Sequence, residues 1–165
     1  MSHERLLFRR IRLLTCLFMI GLVFSGLTAI PLVTELNVLV SWLGFEGQTS
    51  ATAGTELGRW LLRIRDALVA TQTTYPELFY GTDWLAFGHV AIAMAFIGAL
   101  RDPVRNRWLF DFGLIACALV IPWAFLFGAV RGIPLWWRLI DFSFGVFGAV
   151  PLLLCRKWAR ELEKR

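Results

Sequence analysis

The sequence predicts an all-α, four-transmembrane-helix bundle with its N- and C-termini cytoplasmic and an extracytoplasmic amphipathic helix between the first two spans. Three observations carry that expectation. The composition is 58% hydrophobic, with 14 Phe and 8 Trp in 165 residues, more apolar surface than a soluble domain of this size has interior to hide. Four apolar runs, at 13–33, 84–100, 109–130 and 135–155, reach or approach the roughly 20 residues that a helix needs to cross hydrocarbon. The net charge of +5 is placed rather than spread. Arg5, Arg9, Arg10 and Arg12 precede the first run, and Arg101, Arg105 and Arg107 separate the second from the third. Arg156, Lys157, Arg160, Lys164 and Arg165 follow the last. Basic residues bracketing spans on one side are the positive-inside pattern; this placement speaks for a lipid bilayer and against nucleic acid. One integral membrane domain, 1–165, is expected.

Taken in order, run 13–33 follows a basic stretch, as a signal peptide would. It is long for that role, and Ser25-Gly-Leu-Thr-Ala-Ile30 is a poor cleavage site, so a retained anchor is expected. Gly21, Ser25 and Ala29 recur every four residues, a small-residue ridge suited to close helix approach. Segment 34–82 is the substantial extramembrane part. Leu36 to Phe45 is apolar but too short to span, and 47–54 is a Gly/Ser/Thr loop. Thr55 is a candidate N-cap for a helix over about 56–72. Leu57, Trp60, Leu61, Ile64 and Leu68 form its apolar stripe, opposite Arg59, Arg63 and Asp66. Such a helix lies flat on the bundle or on the bilayer surface, and Tyr75-Pro76 ends it. The second span is alanine-rich, with Gly88, Ala91, Ala95 and Ala99 as its small stripe. The third carries Asp111 near one end and Pro122 inside, which kinks the helix or frees a carbonyl. Gly132 to Pro134 turns the chain into the fourth. Trp84, Trp108, Trp136, Trp137 and Trp158 sit at span ends, as an aromatic belt requires.

The fourth span holds the two charges that ask for a reason. At 100° per residue, Arg138, Asp141, Gly145, Gly148 and Leu152 fall on one face, and Leu139, Ile140, Val146, Phe147, Val150 and Leu154 on the other. The first face should point into the bundle and the second should meet lipid. Arg and Asp each cost about 2.5–3.5 kcal/mol at mid-helix, against about 0.3–0.6 returned by each Leu, Ile, Phe or Val. The pair therefore needs an Arg138–Asp141 contact at i, i+3 or partners on another span. His89 lies at similar depth, about 8 Å below the outer end of its helix. Asp83 and Arg131 are expected at neighbouring span ends. His89, Arg138, Asp141, Asp83 and Arg131 are thus the candidate ligand-binding residues. Against this stands a plain structural reading: an ion pair that fixes helix order, and a histidine that hydrogen-bonds a neighbouring helix.

No catalytic residue, metal site or cofactor can be assigned. Only His89 lies within a span, which disfavours a bis-histidine haem. There is no Cys/His cluster and no CxxC pair. A P-loop and a nucleophile elbow are also missing. Cys16, Cys117 and Cys155 read as small membrane-helix residues. Asp111 and Asp141 fall in opposite halves of the bilayer without acids between them, a poor proton path. Paired repeats or broken helices of the transporter kind are not evident.

The stretches Tyr75-Pro-Glu-Leu-Phe-Tyr-Gly-Thr-Asp-Trp-Leu-Ala-Phe-Gly-His89, Arg101-Asp-Pro-Val-Arg-Asn106 and Trp137-Arg-Leu-Ile-Asp-Phe-Ser-Phe-Gly145 resemble a group of small uncharacterised bacterial four-span integral membrane proteins. That resemblance implies the bacterial cytoplasmic (inner) membrane and a multi-pass topology, and carries no activity. In layout alone, the chain is similar to the bundles of the sterol-isomerase and sigma-2-receptor type. Three functional readings follow: binding of a small amphiphile (a lipid, quinone or isoprenoid) at a polar site in the outer half; a structural or accessory subunit, homo-oligomeric or part of a membrane complex, with a buried ion pair; or an intramembrane isomerase using His89 or Asp141 as acid or base.

Overall fold

Helix is the only regular structure among residues 3–164, which the computed structural model describes; Arg165, one of the basic residues after the last apolar run, lies outside them. In chain order the helices are α1 (His3–Leu27), α2 (Leu32–Trp42), α3 (Glu56–Thr74), a 3₁₀ turn (Pro76–Phe79), α4 (Tyr80–Ala95), α5 (Ile97–Arg101), α6 (Trp108–Val130) and α7 (Leu135–Glu163). Pro76–Arg101, Trp108–Val130 and Leu135–Glu163 are each long and apolar enough to cross a membrane, and α1 with α2 makes a fourth if that bent pair is one span. The protein is thus an all-helical, multi-pass membrane protein with three to four spanning helices.

Several boundaries differ from those the hydropathy suggests. The first apolar run is not one helix to residue 33. It stops at Leu27, and α2 leaves at 93° to α1. Pro31 has no N–H to continue a helix and pushes Ile30 away from helical geometry, while the Thr28 hydroxyl donates to the Ser25 carbonyl. Helix before α4 begins at Pro76, not Trp84, because Glu77 and Asp83 lower hydropathy without disturbing backbone hydrogen bonds. A break at Phe96 then separates α4 from α5. At the other end, α7 runs eight residues past Cys155 to Glu163.

The described chain falls into two compact units, 1–21 with 92–165, and 22–91. In the first, an antiparallel arrangement follows from the contacts. His3 bonds Glu161 of α7, and Phe18 of α1 lies against Gly148. Arg107, the N-cap of α6, and Asp111 in its first turn pair with Glu163 and Arg156. The N-terminal end of α1, the α5–α6 turn and the C-terminal end of α7 therefore share one end of this unit. Its core is Ile11, Phe96, Ala99, Leu109, Phe110, Leu152, Cys155 and Ala159. Thr15 is the polar member, fully buried, with its hydroxyl 3.8 Å from the Cys155 sulfur. The Arg101–Asn106 stretch is a self-bonded turn. Asp102 accepts from the Val104 and Arg105 amides at 3.2 and 3.0 Å, and Asn106 donates to the Gly98 and Asp102 carbonyls.

In the second unit, α2 packs on α3. Leu36 and Val40 of one and Leu61 and Leu62 of the other are buried. Thr55 caps α3, its hydroxyl accepting from the Gly58 amide at 3.0 Å, and Tyr75 closes it. The buried edge runs through Gly58, Leu61 and Leu62, with the Phe45 ring over Gly58. It is rotated from the expected stripe, so Leu57 is exposed.

Candidate functional site

The Arg138–Leu152 face of α7 is the face that meets α6. Its glycines set the distance: a Cβ on Gly145 would stand 2.6 Å from the Cys117 carbonyl oxygen, and one on Gly148 would stand 3.1 Å from the Cys117 sulfur. One turn on, Leu152 fills the space over Gly113. This crossing lies beside Pro122, whose missing N–H leaves the Ala118 carbonyl without its helical partner.

Toward the α6–α7 turn, the same face carries the two charges. The stem of Arg138 lies across Gly128 of α6, which has no side chain to exclude it. Its Nη1 is 3.4 Å from the Phe125 carbonyl oxygen, and its Nε is buried without a hydrogen-bond partner. The expected Arg138–Asp141 ion pair is not formed. Among the described residues no acid pairs with Arg138 and no base with Asp141. Asp141, half-buried, instead lines an apolar groove of about 450 Å³ with Ala116, Leu119, Val120, Trp123 and Ala124 of α6. A lone carboxylate at an apolar wall in a spanning helix is an acceptor lacking a donor. A cation or hydroxyl with a hydrocarbon body would match it.

The other candidate residues stand apart from this arrangement or in the second unit. Arg131 is the exposed C-cap of α6, where a positive charge suits the helix end. Asp83 is exposed in the first turn of α4, just after the 3₁₀ turn Pro76–Phe79, where an acid suits the helix start. His89 packs against Gly26 of α1, where a Cβ would come within 2.6 Å of the His89 Cβ. Its Nδ1 lies 2.9 Å from the Leu85 carbonyl oxygen, and a carbonyl only accepts, so Nδ1 carries the proton. Gly26 is therefore the point of close approach on α1, and Gly21 of the expected ridge has open space beside it. Along Pro76–Arg101 likewise, Gly88 of the expected small stripe is open and Ala95 is exposed, Ala99 is buried as expected, and Ala86, Ala93 and Phe96 are buried outside the stripe. Asp111 is held by Arg156, which gives it a structural partner near the start of α6.

The α6 wall of the groove was not singled out by sequence. Ala116, Val120, Trp123 and Ala124 recur at helical spacing, but every neighbour is apolar too, so the stripe has no contrast. Gly128 under Arg138 was equally silent. No protein-family model, curated protein sequence or solved structure matches this chain.

Proposed function

We propose that this membrane protein binds a small amphiphile, a lipid, quinone or isoprenoid, on the α6–α7 hairpin. The hydrocarbon body lies along Leu119, Val120 and Trp123, and the polar head is met by Asp141 with Arg138 one turn away. The observation that carries this reading is Asp141 itself: a carboxylate without a basic partner beside an apolar groove. A head with a hydroxyl or amine donor for Asp141 and an acceptor for Arg138 satisfies both charges at once. His89, with Nδ1 engaged and its Cβ against Gly26, is assigned to helix packing. The proposed setting is the bacterial cytoplasmic membrane, which rests on the sequence resemblance. The termini and the 101–107 turn face the cytoplasm, which rests on their arginines and lysines; with α1 and α2 crossing as one bent span, 43–75 is extracytoplasmic.

Native mass spectrometry of gently solubilised protein tests the reading. Wild type should carry a co-purifying amphiphile that Asp141→Asn and Arg138→Ala each reduce about ten-fold or more, the loss of one charged hydrogen bond. Gly128→Ala should act in the same direction, because its methyl group displaces the Arg138 stem without changing any charge. Wild type that is reproducibly empty sinks the proposal. The same unpaired carboxylate also favours a second reading, an accessory subunit whose Asp141 meets a donor on a partner helix. In that case Asp141→Asn abolishes a pulled-down complex and leaves the lipid content of the purified protein unchanged.

A further inference from the structure

We infer that Lys157, Arg160 and Lys164 of α7, with Leu153 below them, form a binding site for the phosphate head of an anionic phospholipid. At 100° per residue these four side chains fall within about 60° of one another. They line a shallow groove of about 580 Å³ together with Leu154, Arg156 and Glu161. Leu153 and Leu154 are 52% and 38% exposed, an open apolar floor where α7 changes from a hydrophobic to a charged helix. Lys157 is one turn further on, about 6 Å along the axis, the spacing of a phosphate from the start of its acyl chains.

The neighbouring charges decide which cations are free to act. Arg156 is paired with Asp111. The Glu161 carboxylate, the one acid of the groove, is engaged by the His3 Nε2 at 2.9 Å. Arg10, elsewhere in the same unit, lies 5.8 Å from the Trp158 ring centre. Lys157, Arg160 and Lys164 are exposed, and no carboxylate among the described residues pairs with them. The helix dipole opposes a phosphate near the last turn by about half a charge, well short of three cations. Other basic residues of the chain, such as Arg9, Arg101 and Arg105, share the general positive potential. They do not line this groove, and that difference is what an experiment can read.

Detergent-solubilised protein, supplied with equimolar phosphatidylglycerol and phosphatidylcholine, is assayed by native mass spectrometry for retained lipid. Wild type should hold phosphatidylglycerol preferentially. Each of Lys157→Gln, Arg160→Gln and Lys164→Gln should cut the preference about five-fold, and the triple variant on the order of a hundred-fold. A control with the same charge loss, Arg9→Gln with Arg101→Gln and Arg105→Gln, should stay within about two-fold of wild type. The single variants carry the test if the triple variant fails to fold. The proposal is overturned if the stripe variants keep the wild-type preference, or if the control loses as much as they do.

Discussion

At the scale of single residues, the α6–α7 contact depends on atoms that are missing. Gly145 lets the Cys117 carbonyl sit where a side chain would be, at 2.6 Å from an ideal Cβ. The obstructing atom is backbone and cannot rotate away, so Gly145→Val must push two helices apart, an overpacking cost of about 1–3 kcal/mol. Gly21→Ala is the matched comparison. Nothing lies within 4 Å of that position, and alanine in a helix gains up to about 1 kcal/mol over glycine. Denaturant titration in detergent should show the first variant weakened and the second unchanged or firmer. Equal losses at both positions would mean that α6 and α7 do not meet at Cys117. The small face of α7 was legible because its glycines follow the two charges at helical spacing on an otherwise bulky helix. On α1 the choice between Gly21 and Gly26 was not legible. Both are small residues in a uniformly apolar run, and only the position of His89 distinguishes them.

At the scale of elements, the α6–α7 turn shows why some boundaries could be read and others could not. Arg131 ends α6, Gly132 takes φ +67°, and the Gly132 and Ile133 amides bond back to the Ala129 and Gly128 carbonyls at 3.1 and 2.8 Å. This is the glycine-dependent helix stop that a Gly-Ile-Pro sequence announces. Gly132→Ala forces an L side chain into the left-handed region at about 1–2 kcal/mol. Amide exchange should rise in the last turn of α6, while the Thr55-capped start of α3 stays as protected as in wild type. Unchanged exchange at 128–131 would rule out this turn. The start of helix at Pro76 and the stop at Leu27 were hidden for the opposite reason. Hydropathy registers Glu77 and Asp83 as polar although they do not interrupt helical bonding, and it passes over Pro31 because the residues around it are apolar.

At the scale of the molecule, the end of the first unit that gathers the charges fixes what membrane topology must obey. His3–Glu161, Arg107–Glu163 and Asp111–Arg156 bring the start of α1, the α5–α6 turn and the end of α7 to one end. The Gly132 turn is at the opposite end of α6, whose 23 residues extend about 34 Å against a hydrocarbon core of about 30 Å. In a background without Cys16, Cys117 and Cys155, Arg105→Cys and Lys164→Cys should therefore react with a membrane-impermeant maleimide from one face only. Arg131→Cys should react from the other. All three arginines and lysines replaced here are exposed, so a failure to label would reflect the membrane rather than packing. Positive-inside reasoning makes the first face cytoplasmic, so in intact cells only Arg131→Cys should label, with the other two reacting after the membrane is opened. Labelling of Arg105→Cys and Arg131→Cys from the same face would mean that α6 does not cross. Asp141 would then lie beside a surface helix in reach of water, and its lack of a partner would no longer call for a ligand.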